Sequence, residues 1–424
     1  FPRLFHFQFI PLDKNYLMRW IPFVVFLIIV QWYSFQALKT VTQNKVWWTI
    51  YGLTVGLVLG SIIWQTITYD RTVGWTPFIA YTIGLFIALI SGQLVMILVL
   101  FFEDIGRVIM SIYHYFASEP KLQFPDRRKF IAQIALAMGT VPITSLLYGM
   151  YKGRYNYRVL KYTLEYDSLP DSFDGFQITQ ISDLHCGSFD NFEKVAYGMD
   201  LISQQKSDLL LFTGDMVNNK ASEARPWIDI ISKIEAPYGK FSVLGNHDYG
   251  DYSNWESKAE KQKNLEEMYQ IHKDMGFDLL LNESRYIEKN GEKLALVGVE
   301  NWGAGRFKKA GDLEKSISKI QSGDFKILLS HDPSHWEAEV LPHSNPFHLT
   351  LSGHTHGFQF GIEIPGWIKW SPIQWRYKQW AGIYEEKEQK LNVNRGFGYL
   401  AYPGRVGIWP EITVITLKKK NLLV

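Results

Sequence analysis

The stretch FSVLGNHDYG, Phe241–Gly250, runs an apolar, strand-like segment into Asn246, His247, Asp248 and Tyr249, with a glycine on either side of the polar group. A short apolar run bounded by such residues reads as a buried strand. A buried strand that ends on an amide, an imidazole and a carboxylate places metal-ligand chemistry at its carboxyl end. Four other runs end the same way. FQITQIS leads into Asp183, Leu184 and His185; LLLFT into Gly214 and Asp215; FKILLS into His331 and Asp332; FHLTLS into Gly353, His354, Thr355 and His356.

Segments with helical periodicity lie between these strands: NFEKVAYGMDLISQQ, RPWIDIISKI and NWESKAEKQKNLEEMYQIHKDMG. Strands separated by helices indicate an α/β domain. In such sheets ligands bind beyond the carboxyl ends of the strands, so five sequence-distant groups are expected on one edge. Five of the eleven histidines fall in these junctions. His6, His114, His272, His335, His343 and His348 lie outside them and read as surface or internally satisfied side chains.

Imidazole, carboxylate and one amide oxygen together suit Mn, Fe, Zn or Co better than a purely oxygen-ligated Ca or Mg site. Clustered thiolates are missing, which argues against a structural zinc knot. Asp183, His185, Asp215, Asn246, His331, His354 and His356 are more ligands than one ion needs. Two divalent ions ~3.5–4 Å apart sharing a carboxylate would use the set and clamp the oxygens of a phosphate ester. Asp248 and Asp332 read either as groups behind the ligand imidazoles or as solvated turn carboxylates. Gly214, Gly245, Gly353 and Gly357 would permit tight turns and close backbone approach at that edge.

The chain has 424 residues, which favours two or more domains, and its apolar residues crowd into the first third. Ile21 to Leu38, Val46 to Thr68, Trp75 to Phe102 and Phe130 to Tyr151 contain no Asp, Glu, Lys or Arg. Each reaches or approaches the ~20 apolar residues that cross a bilayer. Trp20, Trp32, Trp47, Trp48, Trp75 and Tyr151 suit the interfacial belts, and Pro142 is a candidate kink in the fourth span. Residues 1–151 are therefore expected to form a multi-pass, all-α transmembrane bundle, and residues 152–424 the soluble domain.

Basic residues are nearly balanced between the two faces: Arg3, Lys14, Arg19, Arg71 and the group from Lys152 to Lys161 oppose Lys39, Lys45, Arg107, Lys121, Arg127 and Arg128. The run DRRKFIAQIALAMGTVP, Asp126–Pro142, is similar to a twin-arginine export signal, which would put everything after Tyr151 outside a bacterial inner membrane. Two arginines anchoring a helix end account for it as well. A net charge of +2 and no long basic run interleaved with aromatics argue against nucleic acid as a partner. The single cysteine, Cys186, excludes an internal disulfide and reads as a small buried neighbour of the motif around it.

The motifs DLH at Asp183, GD at Asp215, GNHD at Asn246, a lone His331 and GHTHG at His354 resemble those of the calcineurin-like metallophosphoesterases. The resemblance spans Tyr157 to Leu417. YLAYPGRVGIWPEITVITL, Tyr399–Leu417, is similar to the closing strands of a membrane-associated bacterial branch near UDP-2,3-diacylglucosamine hydrolases. The family resemblance implies a two-sheet β sandwich flanked by helices. It assigns Asp183, His185 and His356 to one ion, Asn246, His331 and His354 to the other, with Asp215 bridging. It also implies in-line attack of a metal-bridging hydroxide on phosphorus and a catalytic His247 that protonates the leaving oxygen. One departure stands out: Asn218 occupies the place where the protein-phosphatase branch carries an aspartate that orients the catalytic histidine, which puts phosphoprotein hydrolysis in doubt.

Gly361 to Tyr384 follows the last motif with Trp367, Trp370, Trp375 and Trp380 among Lys369, Arg376 and Lys378. Beside a phosphoesterase site on a membrane-tied chain, this stretch raises a lipid-linked phosphate or pyrophosphate as substrate, against small soluble phosphodiesters and against ordinary aromatic packing under a loop. The alternative function is a non-catalytic metal-binding regulatory domain on a membrane transport or sensor bundle. The absence of ionisable residues from the spans disfavours a transport path.

Overall fold

The computed structural model describes residues 14–70, 76–117 and 125–420. Its described residues fall into two compact units, one within Phe1–Ile67 and Leu85–Leu147, the other within Thr68–Gly84 and Tyr148–Val424. His6, Arg3, Arg71, Trp75 and Lys121 lie outside the described residues, and the side chains of Lys14 and Arg19 are likewise not described.

Four long apolar helices run over Lys14–Val41 (α1), Lys45–Thr68 (α2), Pro77–Ala117 (α3) and Pro125–Tyr151 (α4), each long and apolar enough to cross a membrane. Inside the bundle, Gln31 Nε2 donates to Gln93 Oε1 at 2.8 Å and Gln93 Nε2 to the Tyr51 hydroxyl at 2.9 Å, tying α1, α2 and α3 together. A Cβ added at Gly92 would come within 2.6 Å of the Gly139 carbonyl, so α3 and α4 touch backbone to backbone through small residues. α3 is longer than the expected span: it continues past Phe102 to Ala117. Glu103 and Asp104 pair with Arg107 one turn on, so the charges that end the apolar run support the helix instead of breaking it. α4 runs through Pro142 without interruption.

The second unit is a sandwich of two six-stranded sheets. Its strands are β1 Arg158–Tyr166, β2 Gln177–Ile181, β3 Leu209–Phe212, β4 Lys240–Ser242, β5 Asp278–Leu279, β6 Glu283–Lys289, β7 Glu292–Gly298, β8 Lys326–Leu329, β9 Leu349–Ser352, β10 Ile362–Ile364, β11 Ile368–Trp370, β12 Gly382–Glu386, β13 Gln389–Val393 and β14 Glu411–Lys419. One sheet has the order β1-β14-β2-β3-β4-β5, the other β12-β13-β9-β8-β7-β6, and β10 and β11 form a separate hairpin.

The strand sequences explain the layering. In β3 every residue is buried, as a parallel strand covered on both faces requires. Leu209 and Leu211 join Ile178, Leu296, Ile327, Leu329, Leu349 and Leu351 in the core shared by the two sheets. Leu210 and Phe212 point the other way, into a core with Val195, Met199 and Ile202 of the helix Phe192–Ser203 (α5), Ile231 of Ile228–Ser232 (α6) and Met268 and Ile271 of Lys258–Asp274 (α7). The second sheet is covered by Leu313 and Ile317 of Leu313–Ile317 (α8) and by Trp336 and Val340. Helix α7 begins at Ser257, whose side chain accepts from the Glu260 amide, and α5 begins the same way at Asn191.

β2, β3 and β4 are parallel neighbours in the first sheet, and β8 and β9 in the second. These are the five strands whose carboxyl ends carry the polar motifs, and their loops open at one end of the sandwich. β14, between β1 and β2, is parallel to the first and antiparallel to the second.

Candidate metal centre

At the ends of β2, β3 and β9 the chain turns sharply. Asp183, His185, Asp215, His354 and His356 all have positive φ, between 48° and 71°. Non-glycine residues enter this left-handed region at a cost, and Asp, Asn and His enter it more readily than most. The backbone is held there by its surroundings. Gly245 has no room for a side chain, since a Cβ would lie 2.1 Å from Asp215 Oδ1, and a Cβ at Gly353 would lie 1.9 Å from Ser182 Oγ.

Two groups of ligand-type atoms result, Asp183 with His185 and His356, and Asp215 with His331 and His354, each within 4.8 Å of one another. His185 Nε2 faces His356 Nε2 at 3.0 Å, and His356 Nε2 lies 3.2 Å from Asp183 Oδ1. In the other group His331 Nε2 is 3.1 Å from Asp215 Oδ2 and 3.3 Å from His354 Nδ1. Asp215 Oδ2 belongs to both, because it is also 3.6 Å from His185 Nε2. Ligand bonds of ~2.0–2.2 Å around one ion place neighbouring donor atoms about 3 to 3.5 Å apart, so these spacings fit a divalent ion in each group.

Asn246 supplies an independent indication. Its Nδ2 donates to the Tyr252 hydroxyl at 2.9 Å, while its Oδ1 is buried with no hydrogen-bond partner among the described residues. An amide oxygen left bare in a buried site costs free energy unless a cation or water meets it.

The groups behind the ligands decide which nitrogen faces inward. His331 Nδ1 donates to the Thr213 carbonyl at 2.7 Å, leaving Nε2 for the centre. His354 is turned the other way: Nε2 lies 2.9 Å from the Tyr377 hydroxyl and 3.7 Å from Asp332 Oδ2, leaving Nδ1. Asp332 Oδ1 accepts from the Ser334 amide and hydroxyl at 2.9 and 2.7 Å. Among the described residues Asp248 makes no hydrogen bond to an imidazole. Its carboxylate accepts from the amides of Gly245, Asp215, Met216 and Val217 at 2.9, 3.0, 2.8 and 3.3 Å, binding the loop after β3 to the loop after β4.

His247 is half-buried beside both groups, with its ring centroid 4.9 Å from that of His185 and 4.4 Å from that of Tyr252. Its Nδ1–H donates to the main-chain carbonyl of Asn218 at 2.7 Å, and its backbone amide to Asp215 Oδ1 at 2.9 Å. The departure at position 218 therefore has a structural answer: a carbonyl orients the imidazole, whichever side chain stands there.

Charge is distributed accordingly. Burial alone would raise the Asp215 pKa, but His331 and then His247 pull it well below the carboxylate range. Burial opposes charge on His331 too, yet Asp215 lifts it to about 10. Burial, then His356, holds His185 well below the usual imidazole value, and burial lowers His354. Burial and then Asp215 push Asp248 up to about 7. Cys186 is buried and its thiol is driven upward by that burial.

Three contributors carry no motif: Tyr252, Tyr377 and Arg405. Arg405 is fully buried, donates to the Gly396 and Gly398 carbonyls at 3.1 and 2.6 Å, and sets a guanidinium nitrogen 3.3 Å from His356 Nδ1. A conspicuous Arg in YPGRVG and a Tyr shortly after GNHDYG are the only signals that the sequence offers for them. Among the described histidines outside the centre, His272 Nδ1 lies 2.9 Å from Ser242 Oγ, His335 Nδ1 2.8 Å from Ser330 Oγ and His343 Nε2 3.0 Å from Glu314.

Residues 176–358 match the family described as "Calcineurin-like phosphoesterase", and residues 18–154 match "Probable Calcineurin-like phosphoesterase, transmembrane domain". The chain is 30% identical over 302 residues to "Uncharacterized metallophosphoesterase YkuE" of Bacillus subtilis (strain 168), covering 70% of this chain and 99% of that protein. It is 24% identical over 392 residues to "Transmembrane protein with metallophosphoesterase domain" of Danio rerio, covering 89% of this chain and 81% of the relative. An "Uncharacterized metallophosphoesterase" of Aquifex aeolicus (strain VF5) is 27% identical over 282 residues, covering 65% of this chain and 98% of the relative. The chain belongs to the calcineurin-like metallophosphoesterases and is a membrane protein of that family.

Proposed function

From that membership we propose a membrane-anchored, metal-dependent phosphoesterase that hydrolyses a phosphate monoester, diester or pyrophosphate. The observation that carries the reading is Asp215 Oδ2, held between His331 Nε2 and His185 Nε2 and thus common to two ligand groups. In this reading Asp183, His185 and His356 hold one ion, and Asn246, His331 and His354 the other. Mn, Fe, Zn or Co suit the mixed donor set. Bound there, two cations supply charge neutralisation on a phosphoryl group and lower the pKa of water.

The chain's own groups do the rest. The Asn218 carbonyl keeps a proton on His247 Nδ1, so proton exchange with a leaving oxygen falls to Nε2. Asp248 fixes the two loops that aim Asp215 and Asn246. Gly361 to Tyr384, with its tryptophans and basic residues, favours a lipid-linked ester over a small soluble one. The paired Arg127 and Arg128 are exposed in the first turns of α4 and favour the catalytic domain on the outer face of a bacterial inner membrane.

Full-length protein should hydrolyse bis-p-nitrophenyl phosphate with added Mn and lose that activity to a chelator. Activity that survives exhaustive chelation rejects the metal mechanism. A reporter fused at the carboxyl terminus that works only in the cytoplasm reverses the orientation.

A further inference from the structure

The hairpin of β10 and β11 exposes the isoleucines of its first strand and holds the glutamate between them against the domain. Its register pairs Ile362 with Trp370, Glu363 with Lys369 and Ile364 with Ile368. Directly opposed residues share a face, so Ile362, Ile364, Ile368 and Trp370 form one side and Glu363 and Lys369 the other. The charged side is the one fastened to the domain. Glu363 takes a two-pronged contact from Arg395, at 3.0 and 2.5 Å, and Lys369 Nζ donates to the Ala381 carbonyl. On β10 the apolar side is left outward, with Ile362 50% exposed and Ile364 42%, while Ile368 and Trp370 of β11 are half-buried beside them.

At the tip, the turn Ile364-Pro365-Gly366-Trp367 closes through Trp367 N–H to the Ile364 carbonyl at 3.0 Å, with Gly366 at φ +74°. Pro followed by a left-handed Gly is a stiff type II turn, and it holds Trp367 out with 76% of its surface exposed. Trp375, 80% exposed, meets Trp370 edge-on at 6.3 Å and extends the patch. Both roots of the hairpin are pinned, Gly361 N–H to the Val406 carbonyl at 3.0 Å and Ser371 Oγ–H to the Gly357 carbonyl at 2.8 Å.

We propose that this outward apolar face, Ile362, Ile364, Trp367 and Trp375 with the exposed cations Arg376 and Lys378 beside it, is a lipid-docking surface that seats in the headgroup region of a bilayer. The same chain carries four helices long enough to cross a membrane, so a bilayer is permanently at high effective concentration. Tryptophan at the tip, isoleucine behind it and basic residues at the rim match the interfacial order of a membrane surface, where cations meet lipid phosphates. A strand-pairing protein partner fits poorly, because β10 and β11 are three residues each and offer little edge.

The patch adjoins the metal centre through the chain. Phe358, 57% exposed, follows His356 by two residues, and Arg376 precedes Tyr377, whose hydroxyl touches His354. A docked hairpin would bring phosphates of amphiphilic esters to the centre. This corollary, unlike the docking itself, rests on the phosphoesterase reading.

The test uses the full chain in nanodiscs of phosphatidylcholine and phosphatidylglycerol, open on both faces. Trp367→Cys, in a Cys186→Ser background, is labelled with the environment-sensitive fluorophore NBD, and Trp375→Cys serves as a second site in case one variant folds poorly. A probe seated ~5–10 Å deep should lose about half its emission to doxyl-labelled lipids and be shielded from iodide. Quenching by iodide without quenching by doxyl lipids overturns the proposal. Shielding from both quenchers overturns it too, because the patch is then covered by protein, from this chain, a second copy or another partner. Hydrolysis of bis-p-nitrophenyl phosphate by the unsubstituted protein is measured in the same discs. Its absence would reject the phosphoesterase reading, while the quenching pattern would still decide whether the hairpin docks.

Discussion

Asp248→Asn separates a structural carboxylate from a metal-tuned one. The carboxylate accepts from four buried amides, two on each oxygen. An amide side chain has one acceptor oxygen, so in either orientation two of those N–H groups face an NH2 and lose their acceptor. Buried donors left unsatisfied cost ~1–3 kcal/mol each, so the substitution should cost about 2–6 kcal/mol. Against this stands the cost of the wild-type charge. Burial and then Asp215 raise Asp248 from 3.8 to about 7. The upward shift disfavours the ionised form, so metal-free protein holds this proton to higher pH than a free carboxyl does, and the protonated carboxyl resembles an amide. The sign follows: a raised folded pKa makes the folded state hold the proton more tightly, so this group's contribution to metal-free stability is present at low pH and fades as pH rises through about 7. Two bound cations would reverse the field and return Asp248 to full charge. The assay is thermal unfolding of full-length protein in detergent, loaded and chelated, near pH 7. With metal, Asp248→Asn should lower the domain's midpoint by about 4–12 °C, taking ~2 °C per kcal/mol for a domain of this size; after chelation the difference should shrink to less than half. Equal shifts in the two states, or none with metal, would refute the reasoning.

Because His247 is oriented by a main-chain carbonyl, Asn218→Ala should keep turnover within about threefold, whereas His247→Ala should lose ~10²–10⁴-fold with both ions still bound; steady-state kinetics and metal analysis check both. Tyr252→Phe removes the hydroxyl that selects the orientation of the Asn246 amide and should weaken metal binding by about 10-fold or more, read as a higher metal concentration for half-maximal activity. His272 is buried and neutral, its pKa pushed down to about 3 by burial. The unfolded chain takes up a proton below ~6.5 that the fold refuses, so stability is complete above that pH and falls as pH drops towards 3, by ~2 kcal/mol near pH 5. His272→Gln should flatten that part of the melting-temperature profile; an unchanged slope would exclude His272 as its source.

Much of the site is legible in the sequence because its chemistry is local. Gly-Asn-His-Asp and Gly-His-Thr-His put ligand types beside the glycines that let the backbone close in, and each follows a run apolar enough to be a buried strand. The alternation of Leu209 and Leu211 against Leu210 and Phe212, inward and outward, follows from the two-residue period of a strand. What stays hidden depends on distant parts of the chain. Nothing near Arg158 announces that β1 pairs with β14, and nothing near His354 announces Tyr377. The extension of α3 escapes a reading by composition, because charged residues close an apolar run, whereas their spacing of three and four residues makes them helix-supporting pairs. In Gly361 to Tyr384 the composition is plain, but only the fold shows Glu363 anchored by Arg395 with Ile362 and Ile364 exposed on the other side of the strand.

The backbone geometry at the centre has a cause besides ligation. Five candidate ligands sit in left-handed conformations that cost ~1–2 kcal/mol each for ordinary residues, which no single contact would hold. The junctions hold one another. Asp183 accepts from the His354 amide at 3.0 Å, linking β2 to β9; Asp215 accepts from the His247 amide and its own amide donates to Asp248, linking β3 and β4 twice; His331 Nδ1 reaches the Thr213 carbonyl, linking β8 to β3. Asp183, Asp215 and His331 are thus also fasteners for neighbouring loops, and with the Asp183 amide on the Gly214 carbonyl and the Gly353 amide on the His331 carbonyl, both at 2.9 Å, β2, β3, β8 and β9 close one ring across both sheets, with β4 joined through β3. Such a ring accounts for the strained φ values, which the protein's own hydrogen bonds over-determine. It also means that replacing one ligand loosens a neighbouring loop, so substitutions around the ring should not be read as independent subtractions from one metal site.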